Sequence, residues 1–124
     1  MTTQPGIASG MTDQGRYDPD RLIAGEFPRI CRIITLTGGV ALPAGAVLGQ
    51  ITATESYQLS TAAASDGSQT PSAVLIEPAD ASQEDVQVHA YLTGELHAAE
   101  LTLGAGHTLA TITPILRQHS LFLR

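Results

Sequence analysis

The chain of 124 residues contains no Lys, Asn or Trp, and its six Arg stand against twelve acidic residues for a net charge of −6. That balance excludes a DNA or RNA binder that works by neutralising phosphates, since this needs clustered Lys or Arg and Arg29 with Arg32 is the nearest approach to a cluster. One domain is expected, with about 100 residues available for a single core once a polar leader is set aside.

The leader, residues 1 to about 20, is rich in Gly, Pro, Gln, Ser and Thr and has little to bury, so it reads as a disordered arm. The apolar hook "DRLIAGEFP" (20–28) closes it, too short for a helix and too broken by Gly25 and Pro28 for a core strand. "RICRIITLT" (29–37) is β-branched and ends at Gly38-Gly39, which predicts a strand stopped by a turn. Cys31 lies in it as a small apolar strand residue rather than a nucleophile, and as the only cysteine it forms no intrachain disulfide. Pro43 and Gly45 mark a turn. A strand is expected from Ala46 to Ala53, with Gly49 at a bulge or a close backbone approach.

"SYQLS" (56–60) reads as a short strand and "TAAASDGSQTPS" (61–72) as a loop centred on Asp66-Gly67-Ser68. "AVLIEP" (73–78) has the length of a buried strand, and the acidic stretch 77–85 reads as a solvated loop. In "VQVHAYLT" (86–93), Val86, Val88, Ala90 and Leu92 alternate with Gln87, His89, Tyr91 and Thr93. That period of two predicts a strand with the first set buried and the second solvated, closed by Gly94. Residues 95–104 either start another strand or form an irregular link. Leu109, Ile112, Ile115 and Leu116 share a helical face. Pro114 divides the options: Thr113 caps a short helix that begins at Pro114, or a longer helix covers 108–119 with an irregular first turn. The longer helix is favoured, with "LFLR" extended after it. The sum is mainly β with one short C-terminal helix.

Catalytic patterns are missing. His89, His97, His107 and His119 fall at no metal-ligand spacing, and Cys31 is far from them in sequence. Ser120 beside His119 has no orienting Asp. "TGGVALPAG" lacks the Lys of a phosphate loop, and "GAGHTL" has two glycines of a dinucleotide fingerprint without the βαβ unit around it. Absence of Lys also removes Schiff-base chemistry and carrier-domain attachment. Neither a signal peptide nor a run of about 18 apolar residues is visible. The expectation is a soluble, non-catalytic protein without cofactor or metal, made in a reducing cytoplasm and binding neither nucleic acid nor membrane.

The segments "YDPDRLIAGEFPRICRIITLTGGVALPAGAVLGQIT", "YQLS", "DGSQTPSAVLIEPADA", "VHAYLTGEL" and "LTLGAGHT…LRQHSLFL", in this order and spacing, resemble the head decoration proteins of tailed bacteriophages, the family of phage lambda decoration protein D. The resemblance runs from about Tyr17 to Leu123. It implies a small β-clip or β-tongue-like domain (29–124) behind a flexible N-terminal arm (1–28) that orders on the capsid. It further implies a homotrimer on the three-fold and quasi-three-fold positions of the expanded head, at the outer surface of the virion, with the major capsid protein as partner. The arm's capsid-binding residues would be Leu22, Ile23, Ala24, Gly25, Glu26, Phe27 and Pro28. Strand addition by such an arm suits weak single sites that gain strength from three acting together. Leu121 and Phe122 are candidates for an intersubunit or shell contact, with packing inside the protomer as the alternative. Two other functions stand against this reading. A small β-barrel ligand- or carbohydrate-binding module would need clustered exposed aromatics, and a small hydrolase would need several His in one cleft.

Overall fold

A computed structural model describes residues 22–124; most of the expected arm lies outside these residues, and Leu22 to Pro28 lie within them. Among the described residues eight strands form: β1 (Ile30–Leu36), β2 (Ala41–Leu42), β3 (Val47–Gln50), β4 (Tyr57–Leu59), β5 (Pro71–Leu75), β6 (Ala79–Asp80), β7 (Val86–Leu96) and β8 (Leu121–Leu123). One helix, α1 (Leu109–Gln118), and a 3-10 turn at Ala98–Glu100 complete the described elements. The expected class, mainly β with one C-terminal helix, holds.

Five strands close on themselves in the order β1-β4-β3-β5-β7, because β7 pairs with β1 as well as with β5. The β1–β7 ladder is long, from Leu36 opposite Val86 to Ile30 opposite Thr93. The β1–β4 contact is only the parallel pair Leu36 and Tyr57, so the barrel has a seam there. β8 adds in parallel to the far end of β7, and β2 pairs with β6 in a separate small sheet.

Two apolar clusters lie on opposite faces of the same strands. Inside the barrel are Leu36, Leu48, Ala73, Leu75, Val88 and Ala90. On the outer face Val47, Val74 and Tyr91 meet Ile112 and Leu116 of α1, together with Leu22, Leu96 and Leu121. Alternate residues of β3, β5 and β7 therefore go to different cores, as the pleat demands. This is why "AVL" is apolar without a break.

The double burial corrects several sequence expectations. Tyr91 is buried rather than solvated, because on the outer face it joins the cluster that α1 closes with Ile112 and Leu116. Gly94 does not close β7; the strand runs on to Leu96, its end held between β8 and the chain at Ile23. The strand expected over 46–53 stops at Gln50, where a tight turn bonds Ile51 N–H to the Ser56 carbonyl. β5 starts earlier than expected, at Pro71, a first-strand position that tolerates the missing N–H. Within 77–85 the pair Ala79–Asp80 is a strand and Ala81 is buried; two-residue pairings leave no periodicity to read. Cys31 lies on a strand but is exposed.

Gly49 serves both expected purposes. The β3–β5 register shifts at Leu48/Gly49, and a Cβ on Gly49 would collide with the Ser68 carbonyl. The helix takes the longer of its two options. Thr108 caps it, its side chain accepting from Thr111 N–H while the Thr111 side chain accepts from Thr108 N–H. Pro114 is inside the helix on an exposed position. Ile112 and Leu116 are buried and Ile115 half-buried, but Leu109, expected on the same face, is exposed at the first residue of the helix.

Candidate functional site

The hook lies along the end of β7 as a short antiparallel rung. His97 N–H donates to the Leu22 carbonyl at 2.8 Å and Ala24 N–H to the Glu95 carbonyl at 2.9 Å, with Ile23 opposite Leu96. The end of β7 thus has the hook on one edge and β8 on the other.

Side chains add to these backbone bonds. Leu22 is buried in the outer cluster against the protomer's own residues. Glu95 turns its carboxylate under Gly25, where a Cβ would lie 2.6 Å from it, and Glu95 Oε1 accepts from Phe27 N–H at 3.0 Å. Gly25 leaves room for that carboxylate, and a side chain here would push the flexible end of Glu95 aside. Arg124, next to Glu95 Oε2 at 3.7 Å, donates to the Ala24 carbonyl at 3.1 Å. The Phe27 and Phe122 rings meet edge to face with centroids 4.9 Å apart, a favoured aromatic geometry. Thr93 Oγ1 donates to the Pro28 carbonyl at 2.7 Å and accepts from Ile30 N–H at 3.0 Å, fixing the passage from hook to β1.

Of the residues expected in the arm, Leu22 faces the core, Ile23, Ala24, Gly25 and Phe27 are half-buried, and Glu26 and Pro28 are exposed. Leu121 is fully buried in the outer cluster and Phe122 is half-buried against Phe27. Glu95 and Arg124, which hold the hook, escaped the sequence reading. Glu95 lies 68 residues beyond Phe27 and Arg124 lies 100 beyond Ala24, and nothing local marks them.

A second surface lies next to the hook. The first half of β1 is exposed on both faces, with Ile33 at 62% and Ile30 at 42%. Its one sequence signal was apolar residues at both parities of "RICRIITL", which reads as burial rather than exposure. The seam between β1 and β4 opens as a groove lined by Arg32 to Thr35 on one side and Gln50 and Thr54 to Tyr57 on the other. Tyr57's phenol is raised above its ordinary pKa by burial and then by the Glu55 charge.

Chemistry elsewhere is structural. Ser60 Oγ and His107 Nε2 are 3.0 Å apart, but Ser60 is fully buried. Asp66 accepts from Ser68 N–H and Oγ–H at 3.0 and 2.6 Å and from Gln58 at 3.2 Å, bracing the 61–72 loop. Ser68's hydroxyl, chiefly, and then its backbone bond hold the Asp66 carboxyl below its ordinary value. Among the described residues no three His, Cys, Asp or Glu side chains converge as a metal site, and no helix is long and apolar enough to cross a membrane. The exposed aromatic cluster that a ligand-binding module would need does not form at Tyr91, which is buried, or at Phe27 and Phe122, which stack on each other.

A family model described as bacteriophage lambda head decoration protein D matches residues 11–120. No curated protein matches the chain.

Proposed function

We propose that this chain, which belongs to the bacteriophage lambda head decoration protein D family, binds as trimers at the three-fold and quasi-three-fold positions of an expanded phage head. There it would clamp neighbouring major capsid subunits against the pressure of packaged DNA, from the outer surface of the virion. The family is one of non-catalytic structural capsid proteins. The observation that carries the proposal is the length of the match, which takes in residues on both sides of the hook as well as the barrel and α1.

Residues 1–28 are proposed as the capsid-binding arm, with Leu22 to Pro28 as its attachment. The geometry at Leu22, Glu95 and Arg124 supports a firm root, since four backbone and side-chain hydrogen bonds hold the hook to the end of β7 and to Arg124. A fixed root raises the effective concentration of whatever precedes it at a shell site. Leu121 and Phe122 contribute by holding that root, Leu121 from the core and Phe122 through Phe27.

Purified protein should be mixed with expanded, undecorated heads of its phage and imaged. Three-lobed density over three-fold and quasi-three-fold positions is expected. Density elsewhere, or none at saturating protein, defeats the proposal.

A further inference from the structure

We propose that copies of this chain meet head to tail, the acidic β2–β6 end of one docking on the exposed β1 strand of the next; this rests on the trimeric reading above and names its interface.

Two surfaces of opposite character lie at the two ends of β1. At the start of the strand Ile30, Cys31 and Ile33 are exposed beside Arg29 and Arg32. Neither arginine forms a salt bridge with a described residue. Glu26, on the hook, and Glu55, across the groove, are the carboxylates nearby in chain or groove lining. His89, opposite Ile33 on β7, is exposed as well. Past the other end of β1 the exposed carboxylates Glu77, Asp80, Glu84 and Asp85 gather around β6. Thr37 Oγ1 donates to Asp85 at 2.7 Å, tying this end to the strand. Asp80 is held in its ionised form by Ser82, first through the hydroxyl and then through the N–H. Val40, 44% exposed, belongs to the same end, its carbonyl accepting from Ala81 N–H at 3.1 Å. No Arg or Lys occurs between Arg32 and Arg117.

Each end therefore carries exposed apolar surface, and their charges are opposite. Pairing β1 with β1 would set Arg29 and Arg32 against their own copies, which repels. Pairing β1 with the acidic end joins unlike charges and covers Ile33 and Val40 together. Seven strand residues separate the ends by roughly 20 Å, so one copy can use both at once. Such heterologous contacts close into rings when the rotation allows.

The native thiol gives the test. In the full chain carrying Ser82→Cys, a short bismaleimide should join Cys31 of one copy to the new thiol of the next. The reaction is run in concentrated solution and on expanded heads, and linked trimers should be the limiting product. The wild-type chain, with Cys31 alone, should give no linked dimer, and adding Cys31→Ser should abolish the ladder. Arg32→Glu should weaken association about ten-fold or more, and Glu84→Arg in the same chain should restore it. These sites are exposed, and an unchanged far-ultraviolet circular dichroism spectrum confirms the fold. Trimers by sedimentation or on heads without the link would overturn the interface and leave the trimeric reading standing. Linked wild-type dimers, or no effect of Arg32→Glu, would overturn it too. Monomers in solution and on heads alike would defeat the trimeric reading itself.

Discussion

Glu95 connects parts of the chain that the sequence keeps far apart. Its backbone pairs with Ala24 and with Phe122 on β8, while its carboxylate accepts from Phe27 N–H beneath Gly25. Replacing it with Ala removes a charged acceptor from a half-buried N–H and leaves Arg124 without its carboxylate. A loss of about 1 kcal/mol is expected, below the usual range for a charged acceptor because water reaches the site. Glu95→Gln, which keeps an acceptor oxygen, should lose less; chemical denaturation of both variants checks the order. Asp66 makes a different contribution, through pH. Its folded pKa lies below its ordinary 3.8, so its stabilising effect is complete above that value and is lost as pH falls through the folded pKa. Asp66→Asn should therefore flatten the acid limb of the stability profile below about pH 4, which thermal melts across pH 2 to 6 would reveal. An unchanged limb would remove Asp66 from the account. Asp66-Gly67-Ser68 was legible as the centre of a loop from composition, but the bond from Gln58 on β4 was not.

Helix α1 shows how packing overrides local preference. Pro114 lacks the N–H that would bond the Ala110 carbonyl, a defect that costs up to about 3 kcal/mol in a helix interior. The helix persists because Thr108 and Thr111 cap its start and Ile112 and Leu116 are fully buried on the outer face of the sheet. Pro114 points outward, so Pro114→Ala should leave the packing intact. It is expected to raise stability by about 1 to 3 kcal/mol, read as a higher melting temperature, and a decrease would mean that the ring shapes the helix onto β5. The short strands give the opposite lesson. β2 and β6 hold two residues each, too few for a pattern, and only their partner identifies them. β7 was legible from Val86 to Ala90, where one face meets the barrel interior. It ceased to be legible at Tyr91, where the second face joins the cluster that α1 closes.

At the level of the whole molecule, the placement of Leu22 decides where an arm can be cut. Removing residues 1–21 leaves Leu22 in the outer cluster and the rungs to Glu95 and His97 intact. Removing 1–28 strips a buried leucine and exposes the end of β7, a loss of about 2 to 5 kcal/mol for the leucine alone. The first truncation should melt close to the full chain yet lose head binding, whereas the second should melt clearly lower. Full head occupancy by the first would show that residues 1–21 are not needed for attachment. The sequence by itself determined the mainly β class, the C-terminal helix, the absence of Lys and the family. Each of these depends on residue type, local period or order along the chain. Only the tertiary structure decided that strands β3, β5 and β7 serve two cores, that the hook returns to its own body, and that β1 lies open. Those outcomes depend on which distant segment covers a face: α1 closes the cluster that holds Tyr91, Glu95 holds Phe27, and no described element lies over Ile33. An apolar residue has the same composition whether it is covered or not, and only the fold settles which.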